Sequence, residues 1–407
     1  MKKYYFVIQA LVALVIFSLI GMTTLPTKVD VENLEVVEVI GLDKSENGVK
    51  VTAILKKNGE QSSSDTSEQT SSSSKYKSVT VEAMSFSQAV DILRNVTDKY
   101  ISLSHVKYYI VGEPTAKESL RDVIDYLSRT DDLESTSRLL VADSYSAQDF
   151  LKKVVDSDED IVSNIQDKTS DLVSRNDTVK VTVLDILDMF LQDKIQGVVP
   201  YISVIGGTGE STAFEKYDGS ETKTDTFGFE KVGIIYDMKV EDVLSKNEIV
   251  WYNMVLADVQ SIVMLVPMSD NGSVVINCNR EKHKLSFDVK DNKVTSINLE
   301  LEFIANIEEA RTSEKLFDIE YITKVQENCQ KEMENNITAT IKKCIESDID
   351  YMKLGSKFEL QHPYVFMKLK DNFLENLKTA DIKVDVNISL NNTYDVMQSN
   401  IYQREGK

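Results

Sequence analysis

Val36-Val37-Glu38-Val39-Ile40-Gly41-Leu42-Asp43-Lys44-Ser45-Glu46-Asn47-Gly48-Val49-Lys50-Val51-Thr52-Ala53-Ile54-Leu55 decides the fold class. The first apolar run, Val36–Leu42, is β-rich and too short for a helix. In the second, Val49, Val51, Ala53 and Leu55 alternate with Lys50, Thr52 and Lys56, the period of a strand with one buried face. Asn47-Gly48 between them is a hairpin signal, because both residues tolerate positive φ.

Downstream, strands and helices alternate. Lys77–Glu82 reads as a strand. Ser85 and Gln88 form a capping box ahead of a helix that puts Phe86, Ala89, Val90, Leu93 and Val96 on one face. Val106–Val111 is a strand, and Leu120, Val123, Ile124 and Leu127 keep helical spacing after Pro114. Arg138–Ala142 is a strand, followed by helices over Ala147–Val154, a polar stretch to about Ser174 and Val183–Leu191. Val198–Ile205 is a strand. This order implies a mixed sheet with helices packed on it.

The second half begins after the polar Gly206–Phe227 stretch. A strand at Lys231–Tyr236 precedes a helix expected over Val240–Val255, which carries Trp251, the chain's one tryptophan. A strand meander turns at Asn271-Gly272 and Asp291-Asn292. A long helix is expected from about Thr312 to Met352, and a half-buried strand over Ile382–Leu390. The fold expected is α+β and multidomain, with mixed β-sheets and packed helices, preceded by one N-terminal transmembrane or signal-anchor helix. The divisions expected are a hydrophobic anchor over 1–23, an α/β domain over 28–145 with a solvated Ser-rich loop at 58–74, a helical middle domain over 146–210 closing with a strand, and an α+β domain over 227–398.

Composition narrows the function. The 407 residues exceed what one core usually holds. A net charge of −20 argues against a nucleic-acid partner, which needs a basic face. Lys2 and Lys3 precede the apolar run Tyr4–Met22, which as a helix spans about 28 Å, close to a bilayer's hydrocarbon core. Acidic residues after the run orient the body outward. Leu19-Ile20-Gly21-Met22 has the shape of a bacterial lipobox, with methionine in place of the cysteine that accepts lipid. The expectation is an uncleaved anchor with an extracytoplasmic body.

No site for chemistry emerges. His105, His283 and His362 lie far apart, without metal-ligand spacing. Gly206-Gly207-Thr208-Gly209 lacks the lysine of a phosphate loop. Asp156–Asp160 lacks the glycine and glutamate of an EF-hand. Cys329 and Cys344 share one expected helix about 22 Å apart, too far to pair, so core packing is their default. No catalytic, cofactor-binding or metal-binding residue is assigned.

Several stretches together resemble the C-subunit family of bacterial spore germinant receptors, the Ger(x)C or GerAC type. They are Glu38–Lys44; Leu103–Glu113, with Ser104-His105-Val106-Lys107 and Val111-Gly112-Glu113; Ser137–Ala142; Val183–Leu187 leading to Val199–Ile202; Gly228–Lys231 ahead of Trp251; and the long helix ending in Asp348-Ile349-Asp350-Tyr351. The collinear set, from about Glu32 to Leu390, carries the resemblance. It implies a non-enzymatic subunit of a receptor in the inner membrane of the dormant spore. The implied partners are a permease-like subunit and a larger A-type subunit, with the nutrient germinant not bound by this chain directly. Met22 departs from the family's usual lipoprotein pattern. The competing readings are an extracytoplasmic solute-binding or envelope assembly protein, and an envelope hydrolase.

Overall fold

The computed structural model describes Tyr4 and residues 34–56, 76–96, 100–131, 133–156, 161–174, 177–192, 194–205, 226–256, 258–268, 272–311 and 319–390. The anchor expected at Tyr4–Met22 (Tyr4 apart), the Ser-rich loop and Gly206–Gly209 lie outside the described residues. Among the described residues no helix is long and apolar enough to cross a membrane.

In chain order, β1 (Leu34–Val36), β2 (Val39–Ser45), β3 (Gly48–Lys56) and β4 (Tyr76–Ala83) lead to α1 (Phe86–Val96). Then come β5 (Tyr100–Ser102), β6 (Tyr108–Gly112), α2 (Glu113–Glu118), α3 (Arg121–Ser128), β7 (Arg138–Ala142), α4 (Ala147–Asp156), α5 (Ile161–Ser174), α6 (Val183–Phe190) and β8 (Gln196–Ile205). The remainder is β9 (Thr226–Gly228), β10 (Lys231–Tyr236), β11 (Lys239–Ser245), α7 (Lys246–Leu256), β12 (Ser261–Pro267), β13 (Ser273–Lys290), β14 (Lys293–Arg311), α8 (Ile319–Glu346), α9 (Leu354–Gln361), α10 (Pro363–Leu369), α11 (Phe373–Leu377) and β15 (Asp381–Leu390).

The main sheet has nine strands, ordered β11-β10-β8-β7-β6-β2-β3-β4, with β9 paired to β8. Its centre, β2, β6, β7 and β8, is parallel. Hairpins β2–β3–β4 flank it on one side and β10–β11 on the other, both antiparallel. The central strands read as near-continuous apolar runs because helices cover both faces. Side chains alternate between those faces. Tyr109, Val111, Leu139, Val141 and Tyr201 pack in one core with residues of α1, α3 and α6, such as Leu93, Val123 and Ile186. Tyr108, Ile110, Leu140, Ala142 and Ile202 pack in a second core with Phe150, Leu151 and Ile165 of α4 and α5.

The first core is continuous with that of a second, four-stranded sheet, ordered β12-β13-β14-β15. Strands β12 to β14 are antiparallel, and β15 joins parallel to β14. Helix α8 lays Val325, Cys329, Met333, Ile337 and Ile341 into that core with Ile276, Cys278, Leu301 and Phe303. On the opposite face Lys282 pairs with Glu300 and Glu302 at 3.3 and 2.8 Å.

Several boundaries differ from the sequence reading. The run Val36–Leu42 divides between β1, which pairs with β5 in a small two-stranded sheet, and β2 of the main sheet, and Thr226 and Phe227, read within the polar stretch, belong to β9. Val240–Leu244, expected to open a helix, lie in β11, a hairpin with β10 through Asp237 and Met238 at φ 45° and 74°. The register shifts at Ile234/Ile235, leaving Glu241 out of the pairing. That extra residue spaces Val240, Val243 and Leu244 as a helix would. The long helix stops at Glu346, where Ser347 Oγ donates to Cys344 O and Asp348 turns left-handed at φ 57°. Ile349 and Met352 therefore follow the helix rather than extend it. The first hairpin turns at Glu46-Asn47, and Gly48 pairs with Ser45.

Candidate functional site

The carboxyl ends of parallel strands are where α/β sheets usually bind ligands, and here they gather conspicuous polar groups. Asp43, which ends the apolar run of β2, is 4% exposed. It accepts hydrogen bonds from Ala147 N and Gln148 N, both 2.8 Å, and so caps α4 from a distance of over a hundred residues in sequence. Burial raises its pKa while these two bonds lower it, and burial dominates. Gly112, at the end of β6, exists for space: a Cβ there would lie 2.2 Å from Asp43 Oδ1.

Next to this cap, Glu113 accepts from Ser144 N at 2.8 Å and pairs with Lys117 at 2.7 Å. Asp143 pairs with Lys231 at 2.9 Å, tying the end of β7 to β10. Tyr201 lies beneath them, 1% exposed, its hydroxyl without a hydrogen-bond partner among the described residues. Burial first, then the charges of Glu113 and Asp143, push its pKa up, so the phenol stays neutral. Each carboxylate here already holds a helix end or a lysine. The cluster orders the ends of four strands, and it presents no paired acid and base.

A second concavity lies between α6 and β8 on one side and α7 with the 351–357 segment on the other. It measures about 280 Å³ and is lined by Lys180, Asp185, Tyr252, Asp258, Lys353 and Lys357 among others. Burial raises the Asp258 carboxyl and lowers the Lys357 amine, while each charge partly offsets the other's shift. The seam around it is tightly bonded. Asn253 Nδ2 donates to Thr178 O at 2.9 Å, and Asp350 receives Leu354 N and Gly355 N, both at 2.7 Å, while donating its own N–H to Gln196 Oε1.

The histidines remain apart. His105 sits exposed before β6. His283 bonds Val255 O at 3.0 Å and is held below its usual pKa, chiefly by burial. His362 bonds Phe287 O at 3.0 Å. The three cysteines are free and buried. Burial pushes the Cys344 thiol up, and Cys278, with burial, does the same to Cys329. Among the described residues no group of three or more histidine, cysteine or carboxylate side chains could hold a metal. Sequence reasoning placed Asp43, Gly112 and Tyr201 only within longer stretches that carry the resemblance and gave none of them a role. The available signal was a lone carboxylate directly after a fully apolar strand, which is expensive to bury unless it caps something.

Residues 27–204 match the profile of the spore germination protein N-terminal domain, and residues 230–394 that of the spore germination B3/GerAC-like C-terminal domain. The spore germination protein KC of Bacillus subtilis (strain 168) is 21% identical over 306 residues, 72% of this chain and 72% of that protein. The crystal structure of the GerBC protein superposes with a TM-score of 0.53 at 17% identity, covering 87% of this chain and 97% of that one. That likeness shows the shared multidomain α+β fold.

Proposed function

We propose, from the premise that this chain belongs to the GerAC-type family of spore germination proteins, that it is the non-enzymatic C subunit of a germinant receptor complex. The observation that carries this reading is the collinear match of both halves to the two domains of that family. The subunit is held at the inner membrane of the dormant spore by Tyr4–Met22, with its acidic body outside the cytoplasm. It works through contacts with a permease-like and a larger A-type subunit, and is required for the response to nutrients. The polar groups at the strand ends support a scaffolding role, since each carboxylate there is spent on holding the fold.

The test is an immunoblot of membranes from growing cells and dormant spores, with germination of deletion spores scored across nutrients. Signal confined to the spore inner membrane, with a lost nutrient response, supports the reading. Signal in growing-cell membranes, or unchanged germination, refutes it. The seam cavity, with lysines and carboxylates on its walls, favours one second reading, direct capture of a small zwitterionic solute. Amino-acid germinants would then raise the melting temperature of the purified chain with a dose dependence.

A further inference from the structure

Strand β12 reads Ser261-Ile262-Val263-Met264-Leu265-Val266-Pro267 and carries no charge. It is an outer strand of its sheet, and among the described residues no second strand pairs with it beyond β13. Met268 N donates to Gly272 O at 2.9 Å and Arg280 N to Gln260 O at 2.8 Å, at the two ends of its register with β13. Bonded and non-bonded pairs alternate in an antiparallel ladder. Ile262, Met264 and Val266 therefore spend their backbone groups on β13. Val263 and Leu265 turn their N–H and C=O groups outward.

Val263 and Leu265 are 58% and 62% exposed. Natural edge strands are usually blunted by lysine, proline or a bulge. Here only the terminal Pro267 does so. Beside the edge runs a groove of about 800 Å³, walled by Val250 and Trp251 of α7 and by Glu332 and Asn336 of α8. Asp177 on the same groove is paired with Lys246 at 3.9 Å. Glu332 has no cation beside it among the described residues, and burial raises its pKa.

We propose that the free edge of β12 takes up an extended segment of another polypeptide as an added strand, with aliphatic side chains over Val263 and Leu265 and a lysine or arginine against Glu332. An added strand along Ile262–Val266 would run about 17 Å. A second copy of this chain fits poorly, because it would bring another Glu332 and a net charge of −20 to meet the first. The inference deepens the reading of the chain as a receptor subunit by naming a surface that grips a partner.

The test places photoreactive benzoylphenylalanine at position 265 of the full-length chain, irradiates membranes from sporulating cells, and sequences the adduct peptides. The expected adduct is a lysine- or arginine-bearing segment of a different protein. Val263→Pro removes one outward N–H and no ladder bond, so adduct yield should fall at least tenfold with an unchanged Trp251 fluorescence melt. Glu332→Lys, which leaves the backbone untouched, should lower it similarly. An adduct within this chain, a yield indifferent to both substitutions, or no adduct overturns the proposal. Germination separates the two readings: a chain needed for germination but without the adduct loses only the edge. A chain dispensable for germination but with the adduct loses only the receptor role.

Discussion

Gly112→Ala should destabilise the N-terminal sheet through a clash that Asp43→Ala partly relieves. The added Cβ would meet Asp43 Oδ1 at 2.2 Å, and Ala147 N and Ser146 Cα at 2.9 Å each. Gly112 has φ −63° and ψ 141°, which any residue adopts, so the cost is space alone. Overpacking costs about 1–3 kcal/mol, and two of these neighbours are backbone atoms that cannot swing aside, which sets about 3 kcal/mol. Asp43→Ala removes the acceptor for Ala147 N, buried, and Gln148 N, partly buried. A buried donor left without a partner costs about 1–3 kcal/mol, so about 2–3 kcal/mol is expected for the pair once the released cost of burying the carboxylate is counted. Simple addition would give about 5–6 kcal/mol. In the double variant the nearest clash is gone, and the total should be about 4 kcal/mol, a coupling of about 1.5 kcal/mol. The assay is hydrogen exchange at the amides of α4 in all four proteins, a local readout that needs no two-state unfolding of a multidomain chain. Additivity within about 0.5 kcal/mol would refute the shared-space argument.

Other measurements check other parts of the structure. The three cysteines should resist a thiol-specific reagent in the native chain and react only on unfolding; fast labelling of any one would contradict their burial. His283 is depressed below its unfolded pKa, so its contribution is present above about pH 6.5 and lost as the pH falls through the lower folded value. The melting temperature should therefore drop between pH 7 and 5, and His283→Gln, beside Asp258, Arg280 and Lys357, should flatten that drop. Asn253→Ala strands the buried carbonyl of Thr178 and should cost about 1–3 kcal/mol, read as faster exchange along the seam. Lys231→Met should cost about 1 kcal/mol or less in a denaturant melt, because its pair with Asp143 is 43% exposed on the lysine side.

What the sequence revealed depended on whether a signal was local. Tyr108–Gly112 and Arg138–Ala142 were legible as strands because burial on both faces demands unbroken apolar runs. Helix α1 was legible from its cap, and Gln88 N does donate to Ser85 Oγ at 3.3 Å. Strand β11 was not, because one bulged residue at Glu241 turned a period of two into helical spacing. The parallel placement of β15 against β14 is invisible to periodicity, which reports faces and not neighbours. The cap on α4 joins residues 43 and 147, and nothing near either one names the other.

Strand β8, at the end of the first matched region, and β10, at the start of the second, are hydrogen-bonded neighbours, from Pro200↔Val232 to Gln196↔Tyr236. The two matched regions thus share one sheet, the second supplying the β10–β11 hairpin at its margin. A first region severed at residue 205 would lose its cover over Val198 and Val199 and present a raw sheet margin to the ribosome's surroundings. During synthesis, that margin of β8 stays unpaired until Tyr236 has emerged, so the first half completes its sheet only with the opening strand of the second.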